Sequence, residues 1–117
     1  MNGSTIWYRY FKKTIQFDFD KSTIKPEFES VLLAHVAYLV DHPQKMLTIE
    51  GHADEKGTPE YNISLGERRA KVVATYLENN GVVPNQISVI SYGEEKPINT
   101  ENNESAWSEN RRAELVY

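Results

Sequence analysis

Asp54 and Arg69 stand fifteen residues apart within residues 51–70, GHADEKGTPEYNISLGERRA. A carboxylate accepts hydrogen bonds from an ammonium, and a guanidinium grips a carboxylate through two parallel N–H···O bonds. Together they suit a ligand that carries both charges on one carbon, an amino-acid headgroup. The same stretch holds a glycine turn (Gly57), a helix start (Thr58-Pro59-Glu60) and a second arginine, Arg68. It offers no nucleophile–base pair. The chemistry it points to is holding a zwitterion, not breaking a bond.

The positioning elements follow from the hydrophobic pattern. Thr14 to Phe19 alternates, with Ile15, Phe17 and Phe19 on one side, as a half-buried strand does. Pro26 suits the first turn of a helix, with Glu27 and Glu29 near its positive end. Phe28, Leu32, His35, Val36 and Leu39 keep helical spacing and face a core. Asp41-His42-Pro43 ends that helix. Met46 to His52 reads as a second strand, with Leu47 and Ile49 inward.

A second helix opens with Thr58 as N-cap and Pro59 at its first position. Its apolar face is Ile63, Ala70, Val73, Ala74 and Leu77. Asn79-Asn80-Gly81 closes it, with glycine for the left-handed cap. Ile87 to Tyr92 is a third strand. A polar connection over 93–109, with a short helix near Ala106-Trp107, leads to a last strand carrying Ala113, Leu115 and Tyr117. The fold class is α+β: a two-layer α/β sandwich, β-α-β-α-β-(α)-β, with two main helices on one face of a small mixed sheet. Residues 1–13 form an N-terminal extension or an added leader, in which Trp7, Tyr8, Tyr10 and Phe11 pack on a sheet edge. Residues 14–117 form one domain.

A strand–helix–strand crossover makes its strands parallel and is almost always right-handed. The Phe19-Asp20 corner and the Gly51–Asp54 corner therefore share one sheet edge, where α/β ligands favour the carboxyl ends of strands. Thr58, Asn62, Leu65 and Arg69 form one stripe on the second helix. Arg69 lies about 10 Å beyond Asn62 along the axis. The Asp54 loop must then fold along the helix for both residues to touch one small ligand.

Composition narrows the classes. The chain has 117 residues, a net charge of −4 and no cysteine. The acidic balance argues against nucleic acid, which needs a clustered positive field. Thiolate chemistry and disulfides are excluded. No apolar run approaches the ~20 residues that span a bilayer. His35, His42 and His52 lack metal-ligand spacing, and no metal or cofactor is expected. His35 reads as a satisfied interior histidine, and Arg111 and Arg112 as structural ion-pair partners. Two bland alternatives stay open: Asp54 as a turn or helix cap, and Arg69 as an ion-pair partner.

Four motifs in order, FDFDKSTIKPEF (17–28), the 51–70 stretch, SYGEEKP (91–97) and SENRRAELVY (108–117), carry a resemblance over residues 14–117. The chain resembles the outer-membrane-protein-A-like C-terminal domain family, and within it the lipoprotein branch that associates with peptidoglycan. The resemblance implies a non-catalytic module that holds the peptidoglycan stem peptide at its meso-diaminopimelate residue. It assigns the ligand's amine and carboxylate to Asp54 and Arg69. Thr58, Asn62 and Leu65 line the groove, and Phe19 and Asp20 close it. Lys56 takes a place where relatives often carry arginine, keeping the charge without the planar fork. The resemblance also implies a TolB-like periplasmic partner. It places the full-length protein on the periplasmic face of the outer membrane, with an N-terminal lipid anchor that this chain does not carry.

Two other classes compete. A peptidoglycan hydrolase would draw on Asp18, Asp20, Glu50 and Asp54 near one edge. Glycosidases, however, need one acid desolvated and protonated, and nothing marks such a residue. A purely protein-interaction domain of the periplasm is the other.

Overall fold

The computed structural model describes residues 11–117. Strands β1 (Thr14–Gln16), β2 (Leu47–His52), β3 (Ile87–Gly93) and β4 (Arg112–Val116) alternate with helices α1 (Glu29–Asp41), α2 (Pro59–Asn79) and α3 (Glu104–Asn110). The sheet order is β1-β4-β2-β3. β4 is antiparallel to both β1 and β2, and β2 is parallel to β3. Hence β1, β2 and β3 point the same way and end at one edge. β4 runs back and begins there. The α+β sandwich expected from the pattern is the fold observed.

Local chemistry explains the longest helix. The Thr58 hydroxyl accepts the Tyr61 N–H at 3.1 Å, with Pro59 next in the chain. At the far end Gly81 has φ 112°. Its N–H donates to the Glu78 carbonyl at 3.0 Å, and Val82 N–H donates to that of Leu77 at 3.1 Å. That is the Schellman pattern, and Val82 is buried beneath it. α1 begins differently from the single helix read at Pro26: Pro26–Phe28 is a 3-10 turn that feeds the α-helix. Its open carbonyl end is met by Gln86, whose Nε2 points at the carbonyls of Leu39, His42 and Lys45 at 3.0, 3.0 and 3.1 Å.

Ile15, Phe17, Leu32, Leu39, Leu47, Ile49, Val73, Leu77 and Leu115 fill the layer between helices and sheet. Two inward assignments fail. Phe19 is 56% exposed because β1 stops at Gln16 and the chain turns at Asp20, whose φ is 56°. Alternation cannot run past that turn. Ile63 is 39% exposed because the first turns of α2 overhang the sheet edge, where Ile63 lies against Gly93. Trp7, Tyr8 and Tyr10 lie outside the described residues. Phe11 stacks on His35, with ring centroids 4.0 Å apart.

His35 is the satisfied interior histidine that the pattern implies. Its Nε2 lies 2.6 Å from the Lys12 carbonyl and its Nδ1 2.7 Å from the Tyr117 hydroxyl. A carbonyl only accepts, so Nε2 carries the proton and Nδ1 receives the phenol. Burial lowers the His35 pKa.

α2 presses on β2 through two glycines. A Cβ on Gly51 would stand 1.7 Å from the Gly66 carbonyl oxygen, and one on Gly66 would stand 2.3 Å from Ser91 Oγ. Backbone blocks the first of these, so Gly51→Ala is expected to destabilise the domain by about 3 kcal/mol or more, read from its urea midpoint.

His52 lies on the sheet face away from the helices, 1% exposed, stacked on Tyr92. Burial, helped by the Arg112 charge, lowers its pKa to about 4. The unfolded chain binds this proton more readily, so the contribution to stability is complete above pH 6.5 and drains away as pH falls toward 4. Urea midpoints should drop across that window. His52→Gln should flatten the drop.

Candidate functional site

At the shared carboxyl edge lies a cleft of about 220 Å³, lined by Phe19, Asp20, Asp54, Lys56, Gly57, Tyr61, Asn62 and Leu65. Six of the eight predicted site residues are on this wall. Thr58 is exposed and spends its hydroxyl on the helix cap. Arg69 lies behind the wall.

Asp54 is 5% exposed. One carboxylate oxygen accepts the Lys56 N–H at 2.9 Å, which folds the loop into a tight turn. The other faces Arg111 Nη1 at 3.4 Å. Arg111 Nη2 also donates to Glu104 at 2.8 Å, and its Nε donates to the Phe17 carbonyl at 3.1 Å. The guanidinium holds the Glu104 carboxyl below its usual range. Asp54 is thus turn-former and ion-pair partner at once, and its charge partner is Arg111, not Arg69.

The Arg69 side chain has no exposed surface. Its Nε donates to the Lys21 carbonyl at 2.8 Å, Nη1 to that of His52 at 2.9 Å and Nη2 to that of Asp18 at 3.2 Å. Burial lowers its pKa to about 10, against the nearby charge of Asp54. Sequence reasoning asked the loop to fold along the helix, and it does. His52 sits beside Arg69. Four residues later Lys56 sits beside Asn62, whose Nδ2 meets the carbonyls of Asp54 at 3.1 Å and Lys56 at 2.9 Å and Glu94 Oε1 at 2.7 Å.

The outer wall is aromatic and charged. Tyr61 donates its hydroxyl proton to Asp20, which pushes the Tyr61 pKa up. Arg68 is exposed beside that hydroxyl. Lys56 Nζ lies 4.0 Å from the Trp107 ring centroid and 5.3 Å from that of Phe19. Of the four carboxylates invoked for hydrolysis, Asp20 and Asp54 line the cleft and the other two do not. Asp18 turns to Lys25 at 3.3 Å, and Glu50 sits beside His52 on the opposite sheet face.

Three residues at this edge escaped sequence reasoning in this role. Arg111 was read as a structural ion-pair partner, but its place at the site depends on β4 running antiparallel. Tyr61 follows from Thr58 by one helical turn, so its reach toward Asp20 was available in the spacing. Trp107 arrives on α3, whose docking no periodicity reports.

Comparison with known proteins follows the same residues. Residues 16–111 match the OmpA family. The peptidoglycan-associated lipoprotein of Pasteurella multocida is 50% identical over 104 residues, which cover 89% of this chain and 69% of that protein. Its namesake in Haemophilus influenzae is 49% identical, over 89% of this chain and 68% of that protein. A crystal structure of the peptidoglycan-associated lipoprotein from Burkholderia pseudomallei superposes with a TM-score of 0.90 at 42% identity, covering 91% of this chain and 90% of that one. Fold, motifs and these likenesses agree: the chain belongs to the OmpA family.

Proposed function

We propose that the cleft binds the peptidoglycan stem peptide through its meso-diaminopimelate headgroup, without catalysis, and so tethers the outer membrane to the wall as part of the Tol-Pal envelope system. The observation that carries this reading is the convergence of Asp54, Asn62 and Leu65 on one small cleft with Arg69 directly behind it. The relatives named for association with peptidoglycan support it.

In this reading Asp54 accepts from the ligand ammonium with the lone pairs that Lys56 N–H and Arg111 leave over. A guanidinium has five N–H donors, and the carbonyls of Lys21, His52 and Asp18 engage three of them. The other two are left for the carboxylate once the Asp18–Lys21 corner yields. Charge-assisted hydrogen bonds contribute about 1.5–3 kcal/mol each, and ordering costs reduce the sum to a modest affinity. Many anchored copies on a repetitive wall would strengthen attachment by avidity. In this reading a lipid anchor holds the protein to the outer membrane, and a TolB-like protein is the proposed periplasmic partner.

Co-sedimentation with purified sacculi, competed by free muropeptide, tests the function. Asp54→Asn keeps the acceptor for Lys56 N–H and loses the charge. It should still fold, with a lower urea midpoint because the buried Arg111 pair is weakened, and bind muropeptide about tenfold or more weakly. Arg69→Lys should weaken binding as well, since one ammonium cannot replace the fork. Muropeptide affinity unchanged in both variants would remove this site, and failure of the wild type to sediment would leave the domain a protein-interaction module.

A further inference from the structure

The cleft wall carries two acids, Asp20 and Asp54, and a single cation, Lys56. Asp54 already faces Arg111, and Arg69 is sealed behind three carbonyls. Lys56 is exposed, and no ion pair to it occurs among the described residues. It is nevertheless held at both ends. Its N–H donates to Asp54 Oδ1 and its carbonyl accepts from Asn62 Nδ2. Its ammonium lies over the Trp107 ring at 4.0 Å, with Phe19 at 5.3 Å. Trp107 is fixed in turn, its Nε1 donating to Glu55 Oε2 at 2.8 Å.

A free lysine gives up much rotamer freedom when it grips a ligand. Here the aromatic face has already restricted the side chain, because a cation over a ring is attracted by its quadrupole. One side of the ammonium rests on the rings, and the other is open to an anion at the cleft mouth. We propose that Trp107 is a positioning residue: it holds Lys56 where the ammonium takes a carboxylate of the ligand peptide lying outside the zwitterionic headgroup. The cleft then reads an acidic peptide bearing that headgroup, in preference to the free amino acid. This inference rests on the stem-peptide reading above.

Calorimetric titration with three probes tests it: meso-diaminopimelate alone, the tripeptide L-alanyl-γ-D-glutamyl-meso-diaminopimelate, and the same tripeptide with its glutamyl carboxylate amidated. Lys56→Gln and Trp107→Ala should each weaken the acidic tripeptide about tenfold and the other two probes by much less. Trp107→Phe, which keeps a ring face, should restore most of the loss. The double variant should be no weaker than either single one, because both remove one interaction. Equal weakening of all three probes by Trp107→Ala would make the ring merely structural and overturn the proposal. Additive losses, or no loss for the acidic tripeptide, would also overturn it. If Asp54→Asn abolishes tripeptide binding while Lys56→Gln leaves it intact, only this proposal falls. If the wild type binds none of the probes, the stem-peptide reading falls with it.

Discussion

The Arg69 guanidinium joins two segments that no backbone ladder joins at this point. Carbonyls of Asp18 and Lys21 belong to the corner after β1, and that of His52 closes β2. Carbonyl dipoles take the place of water around a buried charge, and charge-assisted bonds of this kind are stronger than neutral ones. Without the arginine, the Lys21 and His52 carbonyls would lose this donor, at a cost of about 1–3 kcal/mol each if left buried, while that of Asp18 keeps the Lys21 N–H at 3.1 Å. The contact also requires α2 to lie against β2 closely enough for its side chains to pass the strand end. Gly51 and Gly66 permit that approach. The cleft is therefore a by-product of how tightly one helix can sit on one strand.

The second constraint is direction. β4 returns against β1 and β2, so Arg111, the residue just before that strand, stands beside the loop that carries Asp54. α3 comes just before it and brings Glu104 and Trp107 to the same place. Buried polar groups of the site consequently have second duties. Asp54 shapes a turn, Arg111 ties the end of β1 to α3, and Asn62 clamps the loop to the helix. Networks of this type specify one geometry because a partly satisfied member is costly at low dielectric.

Much of this was legible before the structure. Period-two alternation located β1, β2 and β4, and helical spacing located α1 and α2, because both elements bury one face. The Thr58 cap and the Gly81 stop have local causes that spacing alone reveals. The stripe on α2 correctly gathered Asn62, Leu65 and Arg69. What it could not reveal was depth: a stripe residue one turn from the core edge is either groove wall or sealed support, and the Asp18–Lys21 corner decides which. Phe19 misled because a left-handed residue ends the alternation one position later. Trp107 and the true partner of Asp54 depend on long-range docking, which leaves no periodic trace.

The clasp at His35 sits at the opposite sheet edge from the cleft, where β1 begins and β4 ends. It gathers Lys12 and Tyr117 on one imidazole. Tension applied between that edge and a ligand held in the cleft would run along the strands. Ladder bonds lie across the strands, so such a load shears the β1–β4 and β2–β4 ladders as whole sets instead of unzipping them bond by bond. Against a load along that axis the antiparallel ladders share the force.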